Sequence, residues 1–197
     1  MTSPSESPLR VLIADDEAIR LMSLRRQLQA LGMELVGEAT TGREAVRLAE
    51  ETRPDLAILD IKMPDGDGIA AARAITTTRP IPIILLTAYS DPPLIERAAA
   101  AGVFAYLVKP VGEEDLLPAV LTARARFKEF QELRKEVTTL TEALEARKMI
   151  ERAKGILMDR LKISEAEAFR RMQIQSQREN RRLVEIARAI VTTHSML

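Results

Sequence analysis

The chain has 197 residues, 46% of them hydrophobic, no cysteine and a formal net charge of zero. That is apolar mass enough for one large domain, or an ordinary domain with a small one, and it excludes wholesale disorder, disulfides and thiolate metal sites. No apolar run approaches the about eighteen residues of a membrane span, and a cysteine-free chain fits a reducing, cytoplasmic setting. The zero net charge hides a split. Residues 1–119 carry 12 Lys and Arg against 18 Asp and Glu, whereas residues 120–197 carry 17 against 11. An acidic half suits a cation or phosphoryl site, and a basic half suits a polyanionic partner.

The first eight residues, "MTSPSESP", read as a flexible tail. Short apolar runs then alternate with helical patterns. "LRVLIA" (9–14) predicts a buried strand, followed by a helix over 18–31 with Ile19, Met22, Leu24, Leu28 and Leu31 on its inner side. "ELVGEA" (34–39) is a second strand, and residues 42–52 carry Ala45, Leu48 and Ala49 at helical spacing. "DLAILD" (55–60), "IPIILLT" (81–87) and "FAYLV" (104–108) are three more strands, separated by helices over Gly68–Thr77 and Ile95–Ala101. Apolar strands alternating with helices predict a doubly wound α/β domain of the flavodoxin-like kind, a five-stranded parallel sheet covered on both faces.

From Glu113 onward the pattern is helical only. Phe130, Leu133, Val137, Leu140 and Leu144 fall at a and d positions of about two heptads, which suggests a coiled-coil dimer seam. Pro118 kinks this helix unless it falls in the first turn. Ser164 with Glu167 makes a capping box for a helix burying Ala166, Phe169, Met172 and Ser176. Asn180 is read as the N-cap of a last helix with Leu183, Ile186, Ala187 and Ile190 on one face. The division is thus a sheet domain over 9–125, a linker helix over 126–146 and an all-α three-helix domain over 147–197.

In an open parallel sheet, ligands bind at the carboxyl ends of the strands. Asp15 and Asp16 end the first predicted strand, Asp60 the third, Thr87 the fourth and Lys109 the fifth. Converging carboxylates repel, and a hard cation with oxygen ligands relieves the repulsion; Mg²⁺ fits, because it keeps open positions for water and phosphate. A carboxylate beside such an ion can act as a nucleophile towards phosphorus. The plainer reading, in which Asp15 and Asp16 merely cap the next helix, explains one position and leaves the other strand ends unexplained.

The set "DD" at 15–16, "DIKMPDGDG" at 60–68, "TA" at 87–88 and "YLVKP" at 106–110 resembles the receiver domain of two-component response regulators. The resemblance implies that Asp60 accepts a phosphoryl group from a sensor histidine kinase. It implies that Asp15, Asp16, Asp60 and the backbone carbonyl of Lys62 hold Mg²⁺. It assigns Thr87, Ala88 and Tyr106 to the switch, pairs Lys109 with the phosphate, and makes the bond before Pro110 cis.

The second half, through "IERAKGILM" (150–158), "SEAEAF" (164–169), "SQRENRRL" (176–183) and "IARAIV" (186–191), resembles the ANTAR RNA-binding module of AmiR- and NasT-type antitermination regulators. The order of receiver, linker and module is most similar to the actinobacterial branch of that family. The resemblance implies a regulator rather than an enzyme: a homodimer when phosphorylated, which binds stem-loops in nascent transcripts and so acts indirectly on RNA polymerase. Candidate RNA contacts are Arg147, Lys154, Ser176, Arg181 and Arg182. Phe169, the only aromatic residue of the module, is read as core, so base recognition falls to arginine planes, hydroxyls and amides. Gly155, inside a helix, is read as a point of close approach, by a neighbouring helix in the preferred reading or by an RNA backbone in the alternative. A DNA-binding output domain and a phosphorelay or protein-docking module are the alternative readings.

Overall fold

The computed structural model describes residues 7–88, 97–98 and 101–195. The chain divides into two compact units, Met1–Gln131 and Glu132–Leu197. The first contains β1 (Arg10–Ala14), α1 (Ala18–Ala30), β2 (Glu34–Ala39), α2 (Gly42–Thr52), β3 (Leu56–Asp60), α3 (Gly68–Thr78), β4 (Ile83–Thr87) and β5 (Ala105–Val108). Helix α4 (Glu113–Leu161) begins in the first unit and continues into the second, where α5 (Glu165–Glu179) and α6 (Leu183–Ser195) follow. The predicted helix over Ile95–Ala101 lies largely outside the described residues; Arg97 and Ala98 within it are helical.

All five strands are parallel, in the order β2-β1-β3-β4-β5. This is the predicted doubly wound, flavodoxin-like sheet. Alternate side chains leave a strand on opposite faces. Leu12, Ala57, Leu59, Ile83 and Leu85 accordingly pack under α2 and α3. Their neighbours Val11, Ile13, Leu56, Ile58, Ile84 and Leu86 pack under α1 and the start of α4, through Leu116, Val120 and Ala123. Only the three central strands are buried on both faces. β2 and β5 lie at the sheet edges and are partly exposed, a consequence of position that their apolar composition does not reveal.

Three further expectations change. On α1 the inner face is Leu21, Leu24, Gln27 and Leu28, while Ile19 and Met22 are 81% and 66% exposed. The helix carries two apolar stripes, and the sheet takes the one in register with Leu24 and Leu28. Pro118 is the sixth residue of α4, beyond the first turn, so the carbonyl of Glu114 lacks its usual helical donor. Phe130 reaches back to its own sheet unit. Its ring lies 5.8 Å from that of Phe104, which also meets Phe127 edge-on at 5.3 Å.

In the second unit, Ala153, Met172, Ala187 and Val191 form the core, flanked by Met149, Ile150, Ile156, Leu157, Leu183 and Ile190. Ser164 caps α5 by accepting the backbone N–H of Glu167 at 3.3 Å, but the Glu167 carboxylate turns to Arg171 instead of closing the box. Ala168, not Ala166, faces the core, and Phe169 is 36% exposed. Asn180 is the left-handed C-terminal residue of α5, at φ 50°, and not the cap of α6. The carbonyl of Arg182 takes the first α6 amides instead, from Glu185 and Ile186. Asparagine suits both roles, since its short amide tolerates positive φ as well as capping.

Candidate functional site: a carboxylate pocket and a helical surface

The strand ends are held level by hydrogen bonds that extend the sheet beyond its strands. The Asp15 amide donates to the Ala39 carbonyl (3.1 Å), Ile61 to Leu86 (3.0 Å) and Lys109 to Thr87 (2.8 Å). These bonds bring Asp15, Asp60, Thr87 and Lys109 to one edge. Gly68 opens α3 against the end of β3; a Cβ there would stand 2.0 Å from the Asp60 carbonyl oxygen, so only glycine lets the helix approach. The Lys109–Pro110 bond is cis, as the resemblance implies.

Carboxylate oxygens of Asp15, Asp16 and Asp60 lie within 4.8 Å of one another. Asp15 and Asp60 are buried and Asp16 is exposed. Lys109 Nζ bridges the buried pair at 2.8 Å to each. Burial pushes the Asp60 carboxyl above its ordinary value and the charge on Asp15 adds to this, while Lys109 and the Lys62 backbone amide oppose it. Asp15 does not cap α1. Its side chain accepts from the Glu17 amide at 2.9 Å, and α1 starts from Glu17 without a side-chain cap. The donor set is hard oxygen only and fits Mg²⁺, with one exposed carboxylate left on the solvent side for a hydrated ion.

Two residues at this edge carried no signal in the sequence. Arg20, one turn into α1, places Nε 3.3 Å from Asp15 and a terminal nitrogen 4.0 Å from Asp60, and also pairs with Glu17. It adds a second positive charge to that of Lys109. Gln27, 8% exposed, donates to the carbonyl of Val111 at 3.2 Å and ties α1 to the loop after β5. Arg20, Leu24 and Gln27 share one side of α1, but the helical period alone does not decide which of its apolar stripes meets the sheet.

The basic residues of the second unit are differently placed. Arg147 and Arg182 are exposed. Arg181 is exposed but paired with Glu179 (3.0 Å) and Glu185 (3.4 Å). Ser176 donates its hydroxyl to the Arg181 carbonyl and accepts the Arg181 amide at its own carbonyl, so it fastens the turn between α5 and α6. Lys154 is only 8% exposed; Glu151 and Glu165 hold it at 2.8 and 2.6 Å and raise its pKa, and its Nζ lies 5.9 Å from the centre of the Phe169 ring. Lys154 therefore leaves the set of open phosphate contacts. Around Gly155 a Cβ would meet nothing within 4 Å, so close helix packing does not account for this glycine.

The response regulator receiver domain matches residues 11–121, and the ANTAR domain matches residues 138–191. This chain belongs to the response regulator family. The regulator is 46% identical over 198 residues to the transcriptional regulatory protein PdtaR of Mycobacterium tuberculosis (strain H37Rv), covering 98% of this chain and 97% of that protein. It is 40% identical over 102 residues to the chemotaxis protein CheY of Thermotoga maritima, covering 51% of this chain and 85% of that one. Among solved structures, the signal receiver domain of a modulated diguanylate cyclase from Desulfovibrio desulfuricans G20 matches with TM-score 0.58 and 34% identity, over 62% of this chain and 98% of that one. A CheX–CheY–BeF3–Mg²⁺ complex from Borrelia burgdorferi matches with TM-score 0.56 and 27% identity, over 58% and 87%.

The predicted site residues thus fall into two groups. Asp15, Asp16, Asp60, Thr87 and Lys109 converge as the strand ends predict, with Ala88 and Pro110 beside them in the chain. Tyr106 sits on edge strand β5 with its side chain 47% exposed, and Thr87 is buried at the end of β4. The RNA candidates do not converge in this way. Among the described residues, no helix is long and apolar enough to cross a membrane.

Proposed function

We propose that this response regulator is a phosphorylation-switched antiterminator that binds stem-loops in nascent RNA. The observation that carries the reading is the preformed Asp15–Asp60–Lys109 cluster, with Asp16 and Thr87 beside it, in a chain whose second half is an ANTAR domain. An Asp60 carboxylate oxygen attacks the phosphorus of a kinase phosphohistidine; the P–N bond breaks and the imidazole nitrogen keeps the electron pair. Asp15, Asp16, Asp60 and the Lys62 carbonyl would hold Mg²⁺, which when bound would compensate the charge of the phosphoryl oxygens. Lys109 already touches the Asp60 carboxylate and needs only a small shift to meet the new oxygens. Thr87 supplies a hydroxyl from the neighbouring strand, and Tyr106 moves inward behind it.

A phosphoryl group adds about two negative charges at one carboxylate. A few kcal/mol of differential stability is enough to move a two-state equilibrium across most of its range. The state favoured is the homodimer. Leu133, Val137, Leu140 and Leu144 are each more than half exposed along one stripe of α4, an arrangement that leaves a seam for a second copy. The dimer holds adjacent stem-loops, the terminator hairpin does not form, and polymerase reads through. The regulator's own chemistry is limited to accepting the phosphoryl group and slowly hydrolysing it.

The test is competition at fixed salt between a two-stem-loop RNA and duplex DNA for the phosphorylated protein. Preference for the RNA, dependent on its loop nucleotides, is the expected result. Preference for the duplex establishes a DNA-binding regulator, and weak binding of both a protein-docking one.

A further inference from the structure

Between the three helices of the second unit lies a cavity of about 430 Å³, within the size range of small-ligand sites. Its apolar wall is built from Ile156, Leu157, Met172 and Ile190, one or two from each helix. Arg160, Arg171 and Arg181 also line it, with His194 and a single carboxylate, Glu179. An apolar hollow with a cationic surround is unsuited to a metal or a basic peptide. It suits a flat, largely apolar ring carried on a negatively charged chain.

We propose that this cavity receives one unstacked nucleobase of an RNA loop, with the flanking phosphates on Arg160, Arg171 and Arg181. The inference rests on the RNA-binding reading above and assigns the place of base recognition within it. Sequence-specific RNA recognition works largely on splayed loop bases, stacked on side chains or buried among them. In this unit the aromatic alternative is compromised. Phe169, half covered, has Lys154 beside its ring and the carboxylates Glu151 and Glu165 holding that lysine, which makes its surroundings acidic. The lining of the cavity itself carries three arginines against one carboxylate.

The arginines are available in energetic terms. Arg171 pairs with Glu167 at 3.0 Å, and Arg181 pairs with Glu179 and Glu185. All these side chains are 37% exposed or more, and exposed ion pairs contribute little, so a phosphate can replace them. Arg160 stands in the last turn of α4, where its charge also favours the helix terminus. Ala189 lines the cavity from α6 and is exposed, so a larger side chain there fills the hollow without entering the core.

The probe is a pool of two-stem-loop RNAs with randomised loop nucleotides, enriched on the phosphorylated full-length wild type. One enriched RNA is then made with single abasic sites along its loop. Ala189→Trp is expected to weaken binding at least tenfold with the thermal melting profile unchanged. One abasic position is expected to weaken wild type by a similar factor and to leave Ala189→Trp no weaker, as for two changes in one contact. Should Ala189→Trp melt abnormally, Arg160→Ala serves instead: removal of a phosphate contact lowers the slope of log affinity on log salt by about one. Wild-type affinity in Ala189→Trp, or in the fallback an unchanged salt slope, overturns the cavity assignment and leaves RNA binding standing. Failure of the wild type to enrich any RNA overturns both.

Discussion

The two halves of this regulator handle charge in opposite ways. At the sheet edge, two buried carboxylates and a lysine are gathered within hydrogen-bonding distance, with Arg20 beside them. In the helical unit the exposed Arg171 and Arg181 are held in short-range pairs with glutamates, while apolar seam residues face outward. The first site is built to do one piece of chemistry in place. On the proposed function, the second exchanges weak internal pairs and uncovered apolar surface for contacts with other molecules. On the proposed function, a signal received at the first is expressed at the second.

The largest effect expected is at Asp60. Asp60→Ala abolishes phosphoryl uptake from a small phosphodonor, read as the loss of the mass increment in the intact protein. The same residue gives a stability test. Burial raises the Asp60 pKa, so the folded chain holds that proton more tightly than the unfolded chain does. Ionised Asp60 thus costs stability at neutral pH, and the cost fades as pH falls through the folded pKa towards the ordinary value near about 4. Without Mg²⁺, Asp60→Asn is expected to melt higher than wild type at pH 7 and to lose the advantage at about pH 4. A variant that melts lower at both would remove the contrast between the two halves.

The next effect in size concerns the seam. Burying a leucine contributes about 1.5–3 kcal/mol, so Leu140→Glu is expected to weaken the phosphorylated dimer at least tenfold, by sedimentation, with an unchanged far-ultraviolet spectrum. Smaller is Arg20→Ala. Arg20 competes with a cation for Asp15 and Asp60, and its removal is expected to tighten Mg²⁺ binding severalfold in titration calorimetry. Weaker binding would make Arg20 a support of the site rather than a competitor.

The smallest effect separates internal from external roles. Gly155→Ala is expected to stabilise the isolated protomer by up to about 1 kcal/mol, because alanine favours the helix and the added methyl meets open space. Any accompanying loss of dimer or RNA affinity then assigns the glycine to a surface outside the protomer. Destabilisation would return it to internal packing.

Much of the first half was legible because strand ends are fixed by topology. Once the alternation of strands and helices is recognised, Asp15, Asp60, Thr87 and Lys109 have nowhere to go but one edge. Arg20 was not legible, since its reach into the pocket depends on which stripe of α1 meets the sheet. Ile19 and Met22 looked as apolar as Leu21 and Leu24. The second half was legible as three helices but not at its surface. The partner of Lys154 across the unit, Glu165, comes from another helix. Local sequence therefore shows a basic residue where the folded chain has a satisfied ion pair. Asn180 likewise carries a preference for two backbone roles, and only the left-handed turn after α5 decides between them.

The most direct measurement of the coupling between the halves is the affinity for an enriched two-stem-loop RNA with and without phosphorylation, at one salt concentration, in wild type and Asp60→Ala. The account predicts at least tenfold tighter binding on phosphorylation of the wild type and no change in Asp60→Ala. Equal affinity of phosphorylated and unphosphorylated wild type would contradict it.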